Sequence, residues 1–227
     1  MINIHLPAMP ARIARLPRDH RGFPVPWFVK WFKDGKPGAW GVGEPDFRVM
    51  NRERFAMALR HPHCWICGEL MGVHRVFTIG PMCAINRVNS EPPSHRECAE
   101  FAVKTCPFLS RPRMRRNEHD LPADRQPAPG FHLDRNPGAV CLWETPTYKP
   151  FRPHSGHDGI LFRLGDPVQV DWYASGRPAT RAEVLASIDS DYPALEQIAH
   201  LDGPEGVAAL AAARARMLPL LPTAGAT

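Results

Sequence analysis

Five of the six cysteines in this 227-residue chain fall between residues 64 and 106. Crowded thiols point to a shared metal ion or to disulfides, and either restricts the fold more than any other feature of the sequence. The segment opens His63-Cys64-Trp65-Ile66-Cys67-Gly68, a C-x2-C pair followed by glycine. A turn of that length lets two thiolates converge on one cation, and the glycine can take a positive φ just after the second. Twenty-seven residues after Cys67 begins Ser94-His95-Arg96-Glu97-Cys98. Ser94 and Glu97 have the S-x-x-E spacing of a capping box, which predicts the start of a helix. His95 and Cys98 would then share one face of its first turn, where the helix dipole favours a thiolate. The metal ligand set read from the sequence is Cys64, Cys67, His95 and Cys98. A chain of this length can bury a core without disulfide staples.

Between the two ligand pairs, residues 73–79 are rich in β-formers and are followed by Gly80-Pro81 and then Met82-Cys83-Ala84-Ile85. This order predicts a β-hairpin. A knuckle, a hairpin and a helix bringing the second ligand pair resemble the treble-clef zinc-finger superfamily over residues 64–106. The resemblance implies bound Zn2+ and a fold element. It implies no single activity, since treble clefs serve nucleases, ribosomal proteins, lipid binders and ubiquitin ligases. Cys83 and Cys106 lie outside the set. They read as buried apolar side chains, or else as ligands of an iron–sulfur cluster, with Cys106-Pro107 similar to the cysteine-proline that ends some ferredoxin motifs. The chain as a whole also resembles bacterial and phage-type proteins of unknown function that share, in order, RGFPVPWFV, CWICG, GPMCAINRV, EPPSHRECAEFA, CPFL and GRPATRAEV. That likeness brings no activity with it.

The 26 prolines, about twice the usual share, favour short elements and irregular backbone in an α+β fold. Charge divides the chain. Residues 1–116 carry 19 Lys and Arg against 9 Asp and Glu, whereas residues 117–227 carry 9 against 14. The basic half contains the metal motif, and such a split suits either a polyanion-binding surface or two halves that attract one another. The organisation expected is a basic region over 1–116, a linker or surface excursion over 117–138 poor in apolar residues, and an acidic α+β region over 139–227. No window approaches a membrane span, and the first seven residues lack the pattern of a secretory signal. A cytoplasmic location with reduced thiols is the expectation.

Along the chain, residues 1–24 read as an extended arm. Residues 25–32 read as a strand, residues 34–38 as a turn, and residues 46–50 as a second strand. Trp27, Phe28, Trp31 and Phe32 are expected in the core, with base stacking as the alternative. Asn51 is placed to cap a helix through Arg60. After the metal-site helix, Arg111, Arg113, Arg115 and Arg116 form the candidate nucleic-acid contact, because guanidinium forks suit phosphate oxygens. Residues 139–143, 159–164 and 168–172 read as strands of one small antiparallel sheet. His154, His157 and Asp158 make a weakly patterned polar cluster. Thr180 and Glu183 form a second capping box, and Pro193 and Pro204 each suit the first turn of a further helix. The last helix is amphipathic, available to a protein partner or to the sheet.

Two classes of function follow. One is an intracellular zinc-stabilised binding protein, associated with nucleic acid through its basic face. The other is a metalloenzyme or an iron–sulfur redox protein built on the cysteines of residues 64–106. A His-Asn-His type nuclease would use His74 as base, but the sequence supplies no second helical histidine for its ion site. No catalytic residue is assigned.

Overall fold

The computed structural model describes residues 8–112, 114–121, 135–153 and 159–223. It has an α+β architecture of small antiparallel sheets with helices packed on them. The arm contains one short helix, α1 (Ala11–Ala14). Strands β1 (Val29–Lys33) and β2 (Lys36–Pro37) form a hairpin around Asp34 and Gly35, both at positive φ, 51° and 73°. That pair gives the hand of turn that matches strand twist, so the reversal takes two residues and Lys36 and Pro37 already belong to β2. Strand β3 (Glu44–Met50) pairs along the other edge of β1. Val29 and Trp31 alternate inward from β1 and are buried. As the sequence indicates, Asn51 caps α2 (Arg52–Arg60), its side chain accepting from the Arg54 N–H at 3.1 Å.

The expected hairpin over residues 73–85 does not form. Strand β4 (Arg75–Ile79) is followed at once by helix α3 (Pro81–Asn86), with Pro81 in its first turn. Proline is pre-organised for that position and has no N–H to donate to a strand partner, while Ala84 and Ile85 are buried on the helix instead. Arg87, at φ 56°, ends α3 in the left-handed region and turns the chain into β5 (Val88–Asn89). The partner of β4 comes from much later in the chain.

After α4 (Arg96–Thr105) and α5 (Pro107–Ser110), the chain passes through β6 (Val140–Thr145), β7 (Tyr148–Phe151), β8 (Leu161–Leu164), β9 (Gln169–Ala174) and β10 (Arg177–Pro178). The main sheet has the order β10-β9-β6-β4, with Phe77 opposite Trp143 and Trp143 opposite Val170. A second sheet has the order β5-β8-β7. The three late strands therefore do not make one sheet: β6 and β9 pair, while β8 pairs with β5 and β7. Each of these sheets takes strands from both sides of residues 117–138, a pairing that hydrophobic alternation within a strand cannot specify. Where the excursion re-enters the described residues, Asn136 is buried and its amide donates to the carbonyls of Phe108 and Leu109.

The core under the main sheet is aromatic. Phe77, Trp143, Phe162 and Trp172 pack with Val184 and Ile188 of helix α6 (Arg181–Leu201). The two indole N–H groups are satisfied, Trp143 by the Gly165 carbonyl at 3.0 Å and Trp172 by that of Leu220 at 2.9 Å. Helix α6 runs straight past Pro193, which does not begin a new helix. An interior proline costs about 3 kcal/mol. Ser187, Ile188, Asp191 and Tyr192 are buried before it and Ala199 after it, so the helix carries its packed face across the proline. Helix α7 (Gly203–Met217) opens on Pro204 as expected and ends in a 3-10 turn, Leu218–Leu220. Among the described residues no helix is long and apolar enough to cross a membrane.

The Thr180–Glu183 capping box forms in both directions. Arg177, at 2.6 Å, and the Thr180 N–H hold the Glu183 carboxyl down at about 2, below its usual 4.5. A depressed carboxyl stabilises the fold above its unfolded value, and the contribution is lost as the pH falls through about 2. Glu183→Gln is expected to lower stability at neutral pH by up to about 1 kcal/mol. Urea unfolding should show that difference shrinking to nothing near pH 2; a difference that does not change with pH would contradict the assignment.

Candidate metal centre

The first ligand pair is built by the backbone of the knuckle. The Cys64 carbonyl accepts from the Gly68 N–H at 2.8 Å, and the Cys64 N–H donates to the Glu69 carbonyl at 2.8 Å. Gly68 sits at φ 80°, and a Cβ there would lie 2.6 Å from the Trp27 indole, so both conformation and space require glycine. The Cys64 sulfur accepts the N–H groups of Cys67 and His95, each at 3.4 Å. Backbone dipoles from both halves of the site thus point at one sulfur.

The second pair is delivered by β4 and by the start of α4. Ser94 exchanges both backbone hydrogen bonds with Val76, at 2.8 and 2.9 Å, which fixes the loop just before the ligands. The predicted Ser94–Glu97 capping box is absent. Ser94 is taken up by this bridge, His95 occupies the N-cap, and the Glu97 carboxylate turns to Arg12 at 2.8 Å. Helix α4 is instead anchored through Arg96, whose guanidinium reaches Glu144 on β6 and Asp171 on β9. His95 points Nδ1 at the Cys67 sulfur, 3.4 Å away, and Nε2 at the Leu70 carbonyl, 3.2 Å away. With Nε2 carrying the proton to Leu70, Nδ1 is left as the donor atom, a common way of orienting a metal-binding imidazole.

One donor atom from each of Cys64, Cys67, His95 and Cys98 lies within 4.8 Å of the other three. The structure brings together the four residues read from the sequence, and this group could hold a metal ion. Its electrostatics ask for a cation. Burial opposes charge on Cys64, yet hydrogen bonds from Cys67, Cys98 and His95 outweigh it and hold that thiol well below its ordinary range. Hydrogen bonding to the Cys64 sulfur pushes Cys67 up to about 11, raises Cys98 far more, and raises His95. Neighbouring thiols this close thus oppose one another's ionisation. A cation among the sulfurs offsets that opposition and lets all three thiols ionise.

The N-terminal arm closes the centre, a role that composition alone did not suggest. Ile13 and Leu16 are buried against Cys64, Cys67, Met71, Cys98 and Phe101. Arg12 bonds to Glu69 and Glu97, and Arg15 to Glu69, so the arm is pinned to the knuckle and to α4 at once. A trace is present in the sequence: Ile13 and Leu16 lie three apart among arginines, the spacing of a short amphipathic turn. A shallow cleft of about 460 Å³ remains beside His95, lined by Arg12, His95, Arg96, Glu97 and Glu100.

The other sequence candidates fall elsewhere. Cys83 lies on α3 against the main core, and burial pushes its thiol up to about 11; Cys106 ends α4, its thiol also raised by burial. Neither joins the cluster among the described residues. Trp27 and Trp31 are buried; Trp27 packs with Trp65 of the knuckle, Phe28 stacks on Trp65 with ring centres 5.0 Å apart, and Trp31 packs with Val25 and Val29. His74 meets Glu144 at 3.2 Å. Arg111 is exposed after α5, the Arg115 backbone bridges to Arg135, and the Arg116 guanidinium covers the Phe108 ring. Arg113 and the cluster of His154, His157 and Asp158 lie outside the described residues.

No protein-family model, curated protein or solved structure matches the chain. The site therefore rests on its own geometry. Cys64→Ser or Cys98→Ser is expected to give protein that is unfolded or insoluble, because a structural metal supplies folding energy directly. A soluble, cooperatively folding Cys64→Ser/Cys98→Ser double variant would contradict this. Ile13→Asp should leave the four ligands in place but open the shell, speeding removal of the ion by a chelator by roughly tenfold or more. Equal release rates in the variant and the parent would show that the arm does not guard the centre.

Proposed function

We propose that this is an intracellular zinc-stabilised nucleic-acid-binding protein, in which the metal organises a basic face. The observation that carries the metal half of the reading is the closed Cys3His cluster. Tetrahedral zinc with ordinary bond lengths places sulfur and nitrogen about 3.6 Å apart and two sulfurs about 3.8 Å apart. The 3.4 Å between the Cys67 sulfur and the His95 Nδ1 suits that geometry. Four protein ligands, a Leu70 carbonyl behind the imidazole, and a cover of Ile13, Leu16 and Phe101 are the marks of a structural site rather than one with an open position for substrate. The separation of Cys83 and Cys106 from the cluster favours one ion over an iron–sulfur cluster. A reducing, cytoplasmic setting belongs to the same proposal, since the ligand thiols must stay reduced.

The nucleic-acid half is supported by charge. The basic excess lies in residues 1–116, the part that contains all four ligands. Arg111, Arg113, Arg115 and Arg116 come in sequence shortly after α4, which carries Cys98, and the short α5 that follows it. Replacing the four arginines with alanine is expected to weaken binding of a nucleic acid by a similar factor for any sequence and to flatten its dependence on salt, by about 0.9 in log–log slope for each duplex phosphate that is no longer neutralised. Anisotropy titrations at several salt concentrations measure both. An unchanged slope would remove these arginines from the interface.

A further inference from the structure

Arg54 is packed between two tryptophans without a carboxylate partner among the described residues. It lies in the first turn of α2, and its guanidinium sits 4.7 Å from the centre of the Trp40 ring and 5.3 Å from that of Trp27. It donates to the Trp27 carbonyl. Among the described residues it forms no ion pair, and burial brings it down to about 10 from the usual 12.5, with only its neighbour Glu53 acting against that. A guanidinium that gives up water without gaining a carboxylate is a ready partner for an anion from outside.

The surroundings narrow the choice of anion. Trp27 is fixed: His63 stacks on it at 5.5 Å, and Gly68 of the knuckle lies directly against it. Trp40 is different, a large indole 42% exposed in the connection between β2 and β3, with Val42 two residues on also exposed. Met57, one helical turn on from Arg54, is 40% exposed. An apolar aromatic face next to an uncompensated cation matches a flat ring joined to a phosphate. Another cation lies over aromatic rings nearby, where Arg21, itself paired with Asp19, covers Phe23 and Phe47, and Phe47 is 37% exposed. Residues 18–60 carry nine Lys and Arg against five Asp and Glu, so the region as a whole favours an anionic partner.

We propose that Trp40 and Arg54 form a stacking site for a single-stranded nucleic acid, with one base on the exposed indole and its phosphate on the guanidinium. This rests on the nucleic-acid reading above and adds the strand state and the residue that touches a base. A duplex keeps its base faces covered, so an isolated exposed indole can be used by an unpaired base and not by a paired one. The site stands on the N-terminal sheet and α2, apart in sequence from the arginines of residues 111–116.

The test is anisotropy titration of a fluorescein-labelled oligothymidylate of about ten nucleotides against the full chain with its metal. Trp40→Ala should weaken binding roughly tenfold with little change in salt slope, while Trp40→Phe keeps most of the affinity, because stacking rather than charge is removed. An equal-length duplex should compete poorly. Metal content and far-UV circular dichroism of both variants show whether the fold is intact. If the oligonucleotide binds the parent and Trp40→Ala equally, the stacking site is wrong while nucleic-acid binding stands. If neither oligonucleotide nor duplex binds at low salt, both fall.

Discussion

Three sulfurs and an imidazole nitrogen, brought from two segments 28 residues apart, lie within 4.8 Å of one another, and in the pocket they form the Cys64 thiol is held low while its neighbours are raised. Everything around it serves to bring those groups together despite their mutual repulsion. The knuckle turns on Gly68, Ser94 locks the second segment to β4, and Arg96 ties α4 to two strands of the main sheet. A cation in the middle converts the repulsion into attraction. Structural zinc binding contributes on the order of 10–16 kcal/mol in small motifs, comparable with the whole net stability of an ordinary domain.

The metal centre and the sheet are consequently one mechanical unit. Strand β4 is both the edge of the main sheet and the element that positions Ser94, so the aromatic core of Phe77 and Trp143 and the ligand pair His95 and Cys98 share a support. On the opposite side the arm presses Ile13 and Leu16 onto the ligand sulfurs, and Trp27, Phe28 and Trp65 fill the space between the knuckle and the first sheet. The first sheet and its exposed Trp40 are held against the knuckle by these rings. A metal held there would therefore tie the N-terminal sheet to the cysteines as well.

The local features were legible in the sequence and the non-local ones were not. The Cys64–Cys67 and His95–Cys98 pairs, the Asn51 cap and the Thr180–Glu183 box each depend on residues a few positions apart, and each is where its spacing puts it. The exception is Ser94 and Glu97, which have capping-box spacing but are claimed by Val76 and Arg12, partners at distances the motif cannot encode. The hairpin expected after residue 79 failed for the same reason: β4 pairs across some sixty residues with β6, and Pro81 makes a helix of the segment that would have folded back. Pro193 is a local signal that the fold does not follow: α6 continues through it with buried residues on both sides. The arm's place over the metal could be read only faintly, from two apolar residues among arginines.

The most direct measurement is elemental analysis of protein purified without air, combined with an absorption spectrum and a thermal melt before and after chelation. A structural Cys3His site should give about one zinc per chain, no visible absorbance, and loss of the cooperative transition once the metal is withdrawn. Iron with a visible chromophore, or a metal-free protein that melts as cooperatively as the untreated one, would contradict it.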